Sequence, residues 1–237
     1  MTKPQKTIFI TGTRKGIGRA LAQHFLEKHW HVIGCSRKPS DVQHGSYKHY
    51  QLDITDESAV ARTFSNVRKE TGGLHALINN AGIASMNPAL LTPAASFSHI
   101  LGTNVTGAFL CSREAAKLMM PRKNGRIINL TTIAVPLALA GETAYAASKA
   151  AVENLTRTLA REFANSGITV NALGPTPIKT DLIKNVPEEK IRKLTEQQPI
   201  PRYTEMRDIV NVLEFFLAPE SDFITGQILY LGGINRG

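Results

Sequence analysis

Cysteine is nearly absent: Cys35 and Cys111 are the only two in 237 residues, and neither belongs to a CxxC pair or a zinc-ligand spacing. That scarcity excludes a disulfide framework and favours a reducing compartment, with ordinary thiols at both positions. No apolar run approaches the ~18 residues needed to cross a bilayer. The opening Met1-Thr2-Lys3-Pro4-Gln5-Lys6 leads into an apolar strand with no signal-peptide core, so a cytoplasmic location without a membrane partner is expected. Linkers and internal repeats are missing too, and one domain over residues 1–237 is expected.

Acidic residues are outnumbered 19 to 28, which leaves a formal charge of +9 and favours polyanions such as phosphorylated cofactors or acyl carriers. The basic residues form neither a tail nor an aromatic-interleaved patch, so nucleic acid is not an expected partner. Five of the seven histidines lie between His24 and His49 at no metal-ligand spacing. They read as solvated surface, and no metal is expected.

What is present is alternation. Short apolar runs at Thr7–Ile10, His31–Cys35, Leu74–Ile78, Arg126–Leu130 and Ile168–Leu173 read as strands, with Tyr47–Leu52 and Ile228–Leu231 completing seven. Helical periodicity separates them at Ile17–His29, Asp56–Glu70, Ser96–Met120 and Glu142–Phe163. Strand–helix repetition of this kind predicts an α/β fold, a doubly wound, mostly parallel Rossmann sheet covered by helices on both faces. The least regular stretch carries Pro175, Pro177, Pro187, Pro199 and Pro201, and its polar middle reads as a substrate cover over residues 181–200.

Between the first strand and the first helix stands Thr11-Gly12-Thr13-Arg14-Lys15-Gly16-Ile17-Gly18. Glycines there allow a tight turn and close backbone approach to a pyrophosphate, which the helix N-terminus also attracts. At the end of the second strand an acidic residue would hold the ribose of NAD; this chain offers Ser36-Arg37-Lys38 instead. Arg37, with Lys15 near it, suits a 2′-phosphate and points to NADP (NADPH) as cofactor. Tyr145 and Lys149 lie four residues apart on one helical face, where an ammonium would lower the phenol's pKa from about 10 toward acid–base work.

Taken together, these motifs resemble the classical short-chain dehydrogenase/reductase family along nearly the whole chain. The glycine turn, Asp53 on the adenine side with Ile54 beside it, Asn79-Asn80-Ala81-Gly82, Asn104, and Tyr145-xxx-Lys149 occur in the family's order. The segment Ile224–Tyr230 is similar to the 3-oxoacyl-[acyl-carrier-protein] reductase-like branch. The resemblance implies hydride transfer between NADP(H) and a carbonyl or alcohol carbon, with Tyr145 as general acid, Lys149 tuning it and holding the ribose, and Asn104 positioning a water. It implies cofactor contacts at Gly12, Arg14, Lys15, Gly16, Ile17, Gly18, Arg37, Asp53, Ile54, Asn80, Ala81, Gly82, Tyr145, Lys149, Pro175, Ile178 and Thr180.

Several positions depart from the family pattern. Thr132, thirteen residues before Tyr145, stands where a substrate-orienting serine is usual, and it keeps the hydroxyl but narrows rotation. Thr176 replaces the glycine of a Pro-Gly pair, and an acidic residue is missing before Gly232-Gly233. An apolar wall of Ile83, Ala84, Ile133, Ala134, Val135, Leu137, Leu139, Leu182, Ile183 and Val186 suits a small-molecule ketone or acyl substrate, free or carrier-bound. Arg122, Lys123 and Arg126 are candidates for receiving an acidic carrier. Relatives imply a homo-oligomer, dimer or tetramer. The competing readings are an NAD-dependent alcohol dehydrogenase and a catalytically weak nucleotide-binding scaffold.

Overall fold

The computed structural model describes residues 5–179 and 186–234. Seven strands form one sheet: β1 (Thr7–Thr11), β2 (His31–Ser36), β3 (Tyr47–Gln51), β4 (Ala76–Asn79), β5 (Gly125–Leu130), β6 (Ile168–Gly174) and β7 (Ile228–Tyr230). Their order is β3-β2-β1-β4-β5-β6-β7, and every pairing is parallel. The chain winds outward from β1 in one direction and from β4 in the other. The crevice at the carboxyl ends of these two strands is where such sheets hold ligands.

Strand side chains alternate between two cores. Phe9, Ile33, Leu77 and Ile127 pack on one face against Phe64 of α2 (Glu57–Thr71), Met119 of α4 (Gly107–Met119) and Leu159 of α5 (Thr143–Phe163). Ile8, Ile10, Val32 and Ile78 pack on the other against Leu21 and Phe25 of α1 (Gly16–Glu27). Burial on both faces explains why these strands read as continuous apolar runs. Among the described residues no helix is long and apolar enough to cross a membrane.

Two helices differ from the sequence expectation. The helix foreseen over Ser96–Met120 is α3 (Ala94–Leu101), then a π turn at Gly102–Thr106, then α4. The wider turn carries Asn104 inward, a distortion that local periodicity does not register. A further helix, α7 (Met206–Leu217), buries Ile209, Val212, Leu213, Phe216 and Leu217 in the second core. Asp208 starts it by accepting from the Glu205 N–H at 2.8 Å while Arg202 grips the same carboxylate at 2.6 and 2.8 Å. That guanidinium holds Asp208 down to about 2. The polar segment after Pro187 is helical, as α6 (Glu188–Glu196).

Candidate active site

The glycine turn is clamped to both flanking strands. Gly12 and Thr13 donate to the Cys35 carbonyl of β2 at 2.8 and 3.2 Å. Across the switch point, the Thr11 hydroxyl accepts from the Asn80 and Ala81 N–H groups at 3.0 and 2.9 Å, and the Asn80 side chain donates to the Thr11 carbonyl at 2.7 Å. Only glycine fits this contact. Gly12 has φ +78° and its missing Cβ would meet Asn80 Nδ2 at 2.8 Å, while one on Gly18 would lie 2.3 Å from the Gly12 carbonyl oxygen. The turn thus bares backbone N–H groups at the start of α1, whose first turn holds no acidic residue. Such a cradle fits a pyrophosphate.

The bonds to Cys35 place exposed Arg14 and Lys15 on the same edge as exposed Arg37 and Lys38. Asp53 accepts from the Thr55 N–H and hydroxyl at 3.0 and 2.8 Å. Partial burial pushes its carboxyl up, but the Thr55 bonds and the field of Arg37 outweigh this and hold it below the usual range. Ile54, next to it, is buried. These groups fit the adenosine phosphate of NADP: cations at the rim, with an acceptor beyond them.

His49 corrects the view of the histidines as solvated surface. It is half-buried, with Tyr47 Oη 3.0 Å from Nδ1 and Ser36 Oγ 3.1 Å and the Lys38 carbonyl 3.2 Å from Nε2. Tyr47 Oη also lies 2.9 Å from Thr13 Oγ1. The network braces the glycine turn against the loop that carries Arg37, and desolvation lowers the His49 pKa. Sequence reasoning missed it because the alternating pattern of an edge strand does not show which end meets the site.

The reactive cluster forms at the carboxyl end of β5. Lys149 of α5 is buried and donates to the Leu130 carbonyl at 2.7 Å. Its Nζ lies 5.9 Å from the Tyr145 ring centre. Thr132 follows β5, and its hydroxyl accepts from the Ala134 N–H at 3.3 Å. The expected lowering of the phenol is not what the structure shows. Burial pushes Tyr145 up to about 12, with the Glu142 carboxylate adding to the rise and Thr132 opposing it. Lys149 is pulled down by burial to about 8. Desolvation is the largest cause of both shifts, for the partly buried phenol as for the buried ammonium. At neutral pH the phenol therefore holds its proton and Lys149 is still chiefly an ammonium.

Asn104 is buried at the π turn. Its amide nitrogen donates to the Ile83 carbonyl and to Ser148 Oγ, both at 2.9 Å, and its oxygen accepts from the Ile83 N–H at 2.9 Å. Both amide protons are thereby used. A water-positioning role for Asn104 would run through its remaining acceptor capacity or its backbone. Gly82 abuts the pair, since a side chain there would meet Asn104 Oδ1 at 3.2 Å and Lys149 Nζ at 3.5 Å.

On the far wall, Ile178 joins Gly16 and Ile17 around an open cleft of about 620 Å³. Pro175 follows β6, and Thr176 is buried with its hydroxyl 2.8 Å from that of Thr204. Thr180, Leu182 and Ile183 lie outside the described residues. Of the expected apolar wall, Ile133 and Ala134 are core, at 1% exposure each, whereas Val135, Leu137 and Leu139 remain half-exposed. Arg122, Lys123 and Arg126 lie before or at the amino end of β5, at the opposite edge of the sheet from Thr132. Arg126 is spent on the Gly125 and Pro219 carbonyls at 3.1 and 3.4 Å, and Arg122 on the Gly72 carbonyl at 3.3 Å. They cannot serve as the mouth of this site, because a parallel sheet separates its two edges by the full strand length.

Known proteins resemble this chain in sequence and fold. A family model described as enoyl-(acyl carrier protein) reductase matches residues 12–234. The 3-oxoacyl-[acyl-carrier-protein] reductase FabG of Vibrio cholerae is 33% identical over 234 residues, which is 96% of each chain. Among solved structures, ElxO with NADP bound superposes with a TM-score of 0.88 at 31% identity, covering 97% of this chain and 98% of that one. A 4-hydroxyisoleucine dehydrogenase complexed with NADH gives 0.87 at 30% identity, covering 98% and 100%.

Proposed function

The chain belongs to the short-chain dehydrogenase/reductase family of NADP(H)-dependent oxidoreductases, and we propose that it reduces a ketone or 3-oxoacyl-type carbonyl to an alcohol, with Tyr145 as general acid. The observation that carries this reading is the Lys149 ammonium, fixed on the Leu130 carbonyl at the end of β5 and 5.9 Å from the ring of a partly buried Tyr145. Tyr145, with Thr132 after β5, would supply two hydroxyls for a single carbonyl oxygen, whereas reduction of a carbon–carbon double bond has no such oxygen at the reacting carbon. Bound NADPH supplies the hydride.

Within that chemistry Thr132 orients the carbonyl oxygen by a hydrogen bond, and the Tyr145 O–H passes its proton to that oxygen as the new C–H bond forms. The phenolate left behind is stabilised by the Lys149 ammonium, which its bond to the Leu130 carbonyl holds in place. Asn104, through Ile83 and Ser148, fixes the Gly82–Ile83 loop and the start of α5 relative to one another. In alcohol oxidation the same groups act in reverse. The glycine turn would hold the pyrophosphate, and Arg37 with Arg14 and Lys15 the 2′-phosphate. Pro175, Ile178 and Thr180 would flank the nicotinamide.

The reading treats residues 1–237 as one cytoplasmic domain, with 181–200 as the substrate cover and Val135, Leu137 and Leu139 as an apolar wall. A homo-oligomer, dimer or tetramer, completes it, supported by the exposed Phe109 on α4 and Phe223 before β7. A panel of ketones, quinones and carrier-mimicking thioesters, assayed with NADPH and with NADH, tests the proposal. Turnover of at least one carbonyl with NADPH is expected. Turnover with NADH alone would overturn the cofactor assignment, and turnover of enoyl but no carbonyl substrates would overturn the reaction assigned.

A further inference from the structure

One buried ionisable side chain near the reactive cluster has no part in the chemistry described. Glu153 lies on α5, four residues beyond Lys149 and eight beyond Tyr145, so all three share a helical face. It is completely buried. A single carboxylate oxygen, Oε1, accepts from the Thr131 hydroxyl at 2.8 Å and from the Tyr230 hydroxyl at 2.6 Å. Removing a carboxylate from water is costly, and an apolar residue of the same volume would satisfy a helix–sheet contact at less cost. Structural cohesion alone is therefore a poor account of an acid at this position.

Its partners are better informants. Thr131 lies directly between Leu130, whose carbonyl anchors Lys149, and Thr132, the hydroxyl assigned above to the substrate carbonyl. The backbone of Thr131 is tied to β6 through its N–H to the Leu173 carbonyl at 2.8 Å. Tyr230 belongs to β7 and pairs with Gly174, the residue before Pro175. Its ring fills the space of a side chain at Gly174, where a Cβ would meet it at 2.4 Å and Thr131 Cγ2 at 3.1 Å. One carboxylate thus joins the helix bearing Tyr145 and Lys149, the strand end bearing Thr132, and the strand pair that leads to the nicotinamide side.

We propose that Glu153 is a positioning residue for the reductase site: through Thr131 it sets the end of β5, and with it Thr132 and the Leu130 carbonyl, at the depth on α5 where they meet Tyr145 and Lys149. Tyr230 completes the brace from β7. The proposal rests on the catalytic reading above. It predicts loss of turnover without loss of cofactor affinity, because the glycine turn and Arg37 stand on other strands.

Four variants test this: Glu153→Leu, Glu153→Gln, Thr131→Val and Tyr230→Phe. Each is measured for melting temperature, NADPH affinity by fluorescence, and kcat and KM separately. Glu153→Leu and Thr131→Val should lower kcat on the order of ten- to hundredfold, the scale of a misplaced reacting group, with NADPH affinity unchanged. Glu153→Gln, whose amide oxygen can accept from both hydroxyls, should recover most of that loss. Tyr230→Phe should lower kcat less than Thr131→Val does, even at equal cost in melting temperature. Thr131→Val cuts only the link to β5, so it decides the matter even if Glu153→Leu does not fold. Wild-type kcat in Thr131→Val, or kcat losses in all four that merely follow their melting temperatures, would overturn the proposal. Tyr145→Phe is the control: activity abolished there but intact in Thr131→Val defeats the Glu153 proposal alone, whereas activity retained in Tyr145→Phe defeats the site reading and this proposal with it.

Discussion

Replacing Lys149 with methionine separates the electrostatic role assigned to it from its place in the core. The ammonium lies 5.9 Å from the Tyr145 ring centre. With an effective dielectric of ~20, two unit charges at that distance interact by about 3 kcal/mol, roughly 100-fold in rate if the phenolate is fully formed in the transition state. The cost in stability runs the other way. Holding in its charged form a lysine whose pKa falls from 10.5 to about 8 opposes folding by about 3 kcal/mol at neutral pH. Leaving the Leu130 carbonyl without its partner costs about 1–3 kcal/mol, so Lys149→Met should melt at or above the wild-type temperature. Single-turnover oxidation of saturating NADPH with a responsive ketone, followed by cofactor fluorescence, isolates the chemical step from the ribose contact. A folded Lys149→Met enzyme reacting within about threefold of wild type would refute the electrostatic argument.

The pH profile carries the same signature: kcat/KM for reduction should fall as pH rises through about 8, when Lys149 loses its proton, while Tyr145 stays protonated to about 12. An unchanged rate up to pH 10 would count against it. Stability should show the opposite sign, because between about 8 and 10.5 the unfolded chain holds a proton on Lys149 that the folded chain has lost. The stability deficit of wild type relative to Lys149→Met should shrink across that window in denaturant titrations. Arg37→Asp should weaken NADPH binding on the order of ten- to hundredfold and leave NADH unaffected or improved, as read by titration with each. Gly18→Ala should destabilise by about 1–3 kcal/mol and abolish nucleotide binding, because its Cβ would lie 2.3 Å from the Gly12 carbonyl oxygen, which cannot withdraw.

The parts of the fold legible in the sequence are those determined by local rules. Strands such as Leu77-Ile78 and Ile127-Ile128 are apolar throughout because both faces are covered, and the glycine turn stands out because Gly12 needs a positive φ and Gly18 has no room for a side chain. The pattern in α7 is equally readable, since Ile209, Val212, Leu213, Phe216 and Leu217 keep a helical stripe, but an irregular proline-rich stretch before it masks where the helix starts. Other features are tertiary. The π turn at Asn104 accompanies side-chain bonds across to Ile83 and Ser148, which lie far off in sequence. The upward shift of Tyr145 arises from its surroundings rather than from Lys149. Arg126 reads in sequence as free to receive a carrier, but it sits at the amino end of β5 and donates to the Pro219 carbonyl. Spacing puts Tyr145 and Lys149 on one helical face and the family resemblance adds Thr132, but the depth at which they lie depends on which strand end sits over which helical turn.

Tyr145→Phe tests the central claim most directly, since it removes one hydroxyl and keeps the ring. NADPH affinity and melting temperature should stay near wild type, while single-turnover reduction of a responsive carbonyl falls by about 10²–10⁴-fold, the contribution of a placed general acid. Reduction by folded, cofactor-bound Tyr145→Phe within a few-fold of wild type would contradict the assignment of Tyr145 as the acid.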